Sequence, residues 1–284
     1  MDTGVAVQIV SELPREAIAP AVERAFAWFE TVERICTRFD RSSEVMQLRD
    51  RVGSPVPVST LLYEVTAFAL DLAAQTRGAF DPTIGARLEQ LGININYRTG
   101  EAIHSNVDGE QVSFRDVRLD RRARTILLRR PLVLDLNAVA KGLAIDLAES
   151  ELRAYPDICV EAGGDLYVRG HNASGEPWHV GIQHPRADGL LARTLYLTDT
   201  AVCTSGDYER RTIGGEAHIL DGRTRRPVED LASVTVVAPT AMAADGMSTA
   251  AMVLGRERGS EFLKRQAVGG LFIGPDGSMS TVNL

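Results

Sequence analysis

Several features are scarce or missing from this 284-residue chain, and each absence closes off a class of protein. It has only three cysteines, Cys36, Cys159 and Cys203, far apart and forming no C-x-x-C pair, so neither a zinc site nor a disulfide framework is suggested. Buried reduced thiols are the simplest account of them. No apolar run reaches the length that spans a bilayer. Met1 to Val10 alternates like a strand and lacks a basic start followed by an apolar block, so no signal peptide is read there. A cytoplasmic protein with no membrane partner is the expectation. Positive charge is in deficit: a formal net charge of −7 argues against a sequence-blind nucleic-acid binder. The short basic clusters Arg121 to Arg130 and Arg223 to Arg226 read as solvated loops. No G-x-G-x-x-G follows a strand and there is no P-loop, so a Rossmann dinucleotide site is unsupported. No internal repeat or long linker is visible, and one domain over residues 1–284 is expected.

What is present centres on Pro239 to Leu254. The stretch follows a β-branched run, Ser233 to Val237, that reads as a buried strand. Pro239 suits a helix start, because the N–H it lacks is one the first turn leaves unpaired. Ala, Met and Leu then favour helix despite Gly246. Asp245 and Thr249 are four apart and fall on one helix face. A carboxylate and a hydroxyl so placed offer two hard oxygens to one Mg²⁺, whose octahedron a partner's phosphates can complete. On spacing alone, solvated side chains bonded to local backbone are the commoner reading.

Thr3 to Val10 reads as a strand and Pro14 to Thr37 as a helix with Ile18, Val22, Phe26, Phe29 and Val32 inward. Ser43 and Glu44 begin a short helix carrying Val45, Met46 and Leu48. Ser59 caps a second long helix to Thr76, with Leu62, Val65, Ala69 and Leu72 inward, and Gly78 suits its C′ position. A polar surface loop is expected from Gly92 to Glu110. Strands are expected at Val112 to Leu119, Arg124 to Leu128 and Leu132 to Leu136. The helix after Asp135 places Asp146 and Glu149 on its wet face. Ile158 to Val168 reads as a strand interrupted at Gly163-Gly164, by a bulge or by the close approach of backbone or ligand. Further strands are Trp178 to Gln183 and Leu191 to Thr198. His218 to Thr224 is a short strand into a turn, and a helix over Glu257 to Ala267 precedes a closing hairpin around Pro275-Asp-Gly277. Elements in blocks rather than strict alternation favour an α+β fold with largely antiparallel sheet.

The ordered motifs Phe80-Asp-Pro-Thr83, Ala140-Lys-Gly142, Gly163-Gly-Asp165, Thr204-Ser-Gly-Asp-Tyr-Glu209, His218-Ile-Leu-Asp221 and Pro239-Thr-Ala-Met242 with Asp245 and Thr249 resemble the ApbE family, the FAD:protein FMN transferases, over almost the whole chain. The resemblance implies an α+β, T-fold-related architecture with a nucleotide cleft. It implies a Mg²⁺-dependent attack on the FAD pyrophosphate that passes FMN to a threonine of an acceptor flavoprotein and releases AMP. It gives Asp245 and Thr249 as side-chain ligands of Mg²⁺, with the carbonyl of Ala140 as a third. His218 becomes the candidate catalytic group, with Asp221 its neighbour. Ser205, Gly206 and Asp207 line the cleft with Gly163, Gly164 and Asp165, and Lys141 and Asp81 lie near it. Met1 and Thr3 correspond to an early flavin contact. Such chemistry needs pyrophosphate charge neutralised and a base for the threonine proton, which His218 or Asp221 supplies.

The chain departs from the family pattern at Asp2, Arg49, Asn137, Gly222 and Arg225. Three readings of the shared site follow: an FMN transferase, a Mg²⁺-dependent FAD pyrophosphatase giving FMN and AMP, or an FAD-binding protein without turnover. Retention of Asp245, Thr249 and His218 favours turnover.

Overall fold

A computed structural model of the chain describes residues 3–107, 112–187, 189–208 and 218–284. Strand β1 (Val5–Val10) leads into helix α1 (Arg15–Cys36). That helix buries Ala21, Ala25, Phe29, Val32 and Cys36, a stripe at helical spacing. Phe26, expected inward, is 38% exposed, because the small alanines hold the inner positions. Ser43 caps the short α2 (Glu44–Gln47), accepting from the Met46 N–H at 3.3 Å, and a 3-10 turn, Leu48–Arg51, follows. After β2 (Val56–Pro57) comes α3 (Thr60–Gln75), capped by Ser59, which accepts from the Leu62 N–H at 3.1 Å. Leu62, Val65, Ala69 and Leu72 are fully buried, as their spacing predicts. At the end of α3 it is Arg77 (φ 55°), not Gly78, that takes the left-handed C′ position. Gly78 sits one residue on, and its N–H returns to the Ala73 carbonyl at 2.7 Å.

Helix α4 (Gly85–Gln90), β3 (Val117–Asp120) and β4 (Thr125–Leu128) follow. Leu132 to Leu136 is buried but is not a strand. Its backbone is occupied loop to loop: the Val133 carbonyl accepts from the Gly85 N–H, and the Asp135 N–H donates to the Pro82 carbonyl. In the stretch read as a surface loop, Asn94, Ile103 and Ser105 are buried, and residues 108–110 lie outside the described residues.

The rest of the chain runs α5 (Asn137–Glu151), β5 (Asp157–Ala162), β6 (Asp165–Arg169), β7 (Trp178–Gln183), β8 (Leu191–Leu197), β9 (Thr200–Gly206), β10 (Leu220–Asp221), β11 (Arg226–Pro227), β12 (Ser233–Ala238), α6 (Ala241–Leu254), α7 (Arg256–Arg265), β13 (Gly269–Ile273) and β14 (Met279–Val282). Helix α6 starts later than Pro239: Thr240 is its N-cap, accepting from the Ala243 N–H at 3.3 Å.

The chain divides into two compact units. The first comprises Met1–Thr31, Lys141–Gly206 and Asp230–Leu284; the second comprises Val32–Ala140 and Asp207–Glu229. In the first unit a seven-stranded sheet runs β1-β5-β6-β9-β12-β13-β14. Each of its pairings is antiparallel, which makes the fold α+β as the block pattern predicts. Side chains alternate between its faces. Val202, Leu271 and Ile273 meet Val180, Ile182 and Leu195 of the β7–β8 hairpin, while Cys203 lies toward α6, its Sγ 3.5 Å from the Ala241 carbonyl. Helix α6 packs on β9 and β12, and α7 packs on α6. In the second unit β2-β4-β3 form a small sheet and β10 pairs with β11. A buried ion pair, Arg38 Nε to Asp135 Oδ2 at 2.5 Å, lies in this unit. All three cysteines are buried and free, and burial raises their thiol pKa values. No helix among the described residues is long and apolar enough to cross a membrane.

Candidate functional site

Two constellations collect the residues singled out in the sequence, one in each unit. In the first unit, Asp245 lies on α6 where that helix is buried almost all round, and is itself 6% exposed. Its Oδ2 accepts the Gly142 N–H of α5 at 3.0 Å. That approach needs a glycine, because a Cβ at position 142 would stand 2.3 Å from the Ala241 carbonyl oxygen. The preceding residue of α5, Lys141, places Nζ 2.6 Å from Asp165 Oδ2 at the start of β6. Asp165 Oδ1 accepts the Thr204 N–H of β9 at 2.8 Å. Two residues from Cys203 and on the same face of β9, Ser205 places Oγ 2.7 Å from Ser248 Oγ and 2.8 Å from Thr249 Oγ1. Asp245 and Thr249 thus share one helix face, and Lys141, Asp165 and Ser205 are gathered near them.

The charges at this point do not balance. Asp165 and Asp245, 2% and 6% exposed, answer to one ammonium, that of Lys141. Burial, and then the charge of Asp165, raise the Asp245 carboxyl well above its usual range. Burial raises Asp165 too, against the pull of Lys141. Burial lowers the Lys141 ammonium, but the two carboxylates outweigh it and hold it above the usual lysine range.

Gly163 and Gly164 are not a bulge. They are the two-residue turn of a β5–β6 hairpin, with Ala162 opposite Asp165 and φ of 59° and 88°. Backbone does come close at Gly163, whose N–H donates to the Gly4 carbonyl at 3.1 Å, and a side chain comes closer still: a Cβ at 163 would stand 2.1 Å from Thr3 Oγ1. Met1 and Asp2 lie outside the described residues.

Asp146, expected on a wet face, instead accepts the Ala241 and Met242 N–H groups at 2.6 and 2.9 Å and so caps α6 from α5. Burial pushes its carboxyl up to about 6. Glu149 pairs with Arg169. Neither the capping role of Asp146 nor the place of Ser248 stands out in the sequence. Ser248 has one signal, its position between Asp245 and Thr249.

In the second unit, Asp81 is buried and fully engaged: Oδ1 takes the Thr83 N–H and hydroxyl, and Oδ2 takes the Phe114 N–H at 3.0 Å. Asp221 is held by Arg223. Burial pushes the Asp221 carboxyl up, but the hydrogen bonds and charge of Arg223 outweigh it and leave it below the usual range. The 221–225 turn survives its unusual residues: the Gly222 N–H donates to the Ala79 carbonyl at 2.8 Å, and Arg225 takes φ 59°. His218, half-buried, stands two residues before β10, and Asp207 directly follows β9. Arg49 is committed to the Ser105 carbonyl at 2.5 Å, and the Asn137 N–H to Asp135 Oδ1 at 2.9 Å.

The profile of the ApbE family matches residues 1–272. The chain belongs to the ApbE family. The FAD:protein FMN transferase of Salmonella typhimurium is 32% identical over 258 residues, which cover 86% of this chain and 73% of that protein. The FAD:protein FMN transferase of Treponema pallidum is 31% identical over 95% of this chain and 81% of its own. Among solved structures, the ApbE protein of Thermotoga maritima superposes with a TM-score of 0.84 at 29% identity, covering 99% of this chain and 94% of its own. The flavin transferase ApbE of Vibrio cholerae gives 0.82 at 25% identity, with 99% and 93% covered.

The ApbE resemblance implies a Mg²⁺, and the first-unit cluster suits one. Among the described residues no group of three His, Cys, Asp or Glu is placed to hold a metal. The donors are instead a carboxylate and hydroxyls, the hard oxygens that Mg²⁺ prefers. A cation beside Asp245 would favour its ionised carboxylate, which burial and Asp165 disfavour.

Proposed function

We propose that this chain transfers the FMN portion of FAD to a threonine hydroxyl of an acceptor flavoprotein, releasing AMP. The observation that carries the reading is the buried Asp245 carboxyl, beside a second buried carboxyl, Asp165, with the single ammonium of Lys141, and with Thr249 one turn further on. The names of the relatives support the same activity. Asp245 and Thr249, with the Ala140 carbonyl, are the proposed holders of Mg²⁺, which when bound supplies charge neutralisation at pyrophosphate oxygens.

The chain's own residues do the rest. Lys141, fixed by Asp165, keeps a positive charge beside Asp245. The Gly163-Gly164 turn and the Ser205-Gly206-Asp207 strand end are the proposed nucleotide contacts, the glycines leaving backbone open to phosphate. His218 takes the proton of the attacking threonine at a ring nitrogen. Asp221, three residues further on, is charged and tied to Arg223, which makes it the weaker of the two candidate bases. The threonine oxygen bonds to the FMN phosphorus, the bond to the bridging oxygen breaks, and AMP leaves.

The test is incubation with FAD, Mg²⁺ and an acceptor domain bearing a threonine target motif. AMP release is followed together with flavin fluorescence on a denaturing gel. A covalent band abolished by EDTA and by Asp245→Asn is expected. AMP and free FMN without a band would replace transfer by hydrolysis, and FAD bound without AMP would reduce the protein to a binder.

A further inference from the structure

We infer that Ser248 and Ser205 are positioning residues that fix the direction of the Thr249 hydroxyl, so that it presents an oxygen lone pair, and not its proton, to a cation. This rests on the metal role proposed for Asp245 and Thr249.

A serine or threonine hydroxyl has one proton to donate and two lone pairs to accept with. Ser248 Oγ lies 2.8 Å from the backbone oxygen of Asp245. A carbonyl has no proton, so Ser248 is the donor, in the local bond that helical serines often make to the preceding turn. Ser205 Oγ lies 2.7 Å from Ser248 Oγ. The Ser248 proton is already committed, so Ser205 donates here. Ser205 Oγ is also 2.8 Å from Thr249 Oγ1. With the Ser205 proton committed in turn, Thr249 donates.

One carbonyl at the far end therefore sets every bond: Thr249 to Ser205, Ser205 to Ser248, Ser248 to the Asp245 carbonyl. The single proton of Thr249 points at β9, and both its lone pairs are directed elsewhere. Ser248 is 0% and Ser205 8% exposed, so bulk water does not compete for these bonds. A buried hydroxyl turned the wrong way loses a partner outright. The circuit ends on the backbone of Asp245, so both proposed metal-holding residues belong to it.

The experiment measures Mg²⁺ affinity of the full chain by calorimetric titration with Mg²⁺ alone, with urea unfolding of the metal-free protein alongside. In Ser248→Ala the Ser205 proton is released toward Thr249, and the Thr249 proton turns outward. Mg²⁺ affinity is expected to fall about 10–100-fold, the range for removing a group that orients a metal ligand. Ser248→Thr, which keeps the hydroxyl, restores it. Thr249→Val removes the ligand itself, so adding Ser248→Ala to Thr249→Val costs no further affinity. A purely structural Ser248 would weaken binding equally in both backgrounds, and that result overturns the inference. Ser205→Ala follows the same pattern and stands in if Ser248→Ala does not fold. Unchanged affinity in both serine variants, with loss in Thr249→Val and Asp245→Asn, overturns the orientation and leaves the metal role standing. Unchanged affinity in Thr249→Val and Asp245→Asn overturns the metal role itself.

Discussion

Replacing Gly142 by alanine sets two effects against each other. Alanine inside a helix is worth about 1 kcal/mol over glycine, so propensity alone predicts a more stable protein. The contact predicts the reverse. The new Cβ would stand 2.3 Å from the Ala241 carbonyl oxygen, 2.5 Å from its carbon and 2.6 Å from Met242 Cα, all backbone atoms that no rotamer change moves aside. Helix α5 then has to retreat from α6 by about 1 Å, and overpacking of this kind costs roughly 1–3 kcal/mol or more. Set against the helix gain of about 1 kcal/mol, this predicts a net loss of up to about 2 kcal/mol, read as a lower urea midpoint at unchanged m-value. The retreat also draws the Gly142 N–H away from Asp245 Oδ2, now 3.0 Å distant. Displacements of this size near a reacting centre cost on the order of 10²-fold in rate. Gly4→Ala, whose Cβ meets nothing within 4 Å, is the control. A Gly142→Ala protein as stable as the parent, with full activity, would refute the close α5–α6 contact and the placement of Asp245 that depends on it.

Three further outcomes are expected. Asp135→Ala strands the Arg38 guanidinium, 1% exposed, and should destabilise by about 3–5 kcal/mol in urea unfolding, while Arg38→Met with Asp135→Leu costs less than Asp135→Ala alone. Gly163→Ala and Gly164→Ala both force a side chain into positive φ, at about 1 kcal/mol each, but only the first meets Thr3; thermal unfolding should show Gly163→Ala as the worse, and Thr3→Ala should remove the difference. Asp146 has a folded pKa of about 6 against an ordinary value near 4, so the folded state holds the extra proton between them. Stability from this group therefore falls as pH rises from about 4 to about 6, by roughly 2 kcal/mol, and Asp146→Asn should flatten that part of the stability–pH curve. An unchanged slope would count against the burial of Asp146.

How far the sequence can be read depends on whether the governing contact is local. The α3 helix is legible to the residue at its start, because Ser59 and Leu62 are three apart and the inward stripe repeats within the same segment. The pairing of Asp245 with Thr249 on one face is legible for the same reason. Asp146 is misplaced by its local pattern because its partners, the N–H groups of Ala241 and Met242, lie 95 and 96 residues away. The role of Ser248 is hidden likewise, since Ser205 is 43 residues distant. Leu132 to Leu136 has the composition of a strand and the burial of one, but loop backbone occupies its hydrogen-bonding groups. Gly163-Gly164 shows the reverse: the residues announce a special backbone, and only the Ala162–Asp165 register distinguishes a hairpin from a bulge.

The strand order carries a consequence for how the chain acquires its site during synthesis. Strand β9 sits between β6 and β12, and β12 comes from the last of the three segments that build the first unit. When Gly206 has left the ribosome, Ser205 and Asp165 exist but the edge of β9 is still unpaired. Closing it requires a partner separated by the whole of Asp207–Glu229, and such non-local pairing is slow. During that interval the bare edge of β9 is open to wrong partners. The oxygens that surround Asp245 are therefore assembled late, and a chain released before Thr249 is made lacks the candidate metal site.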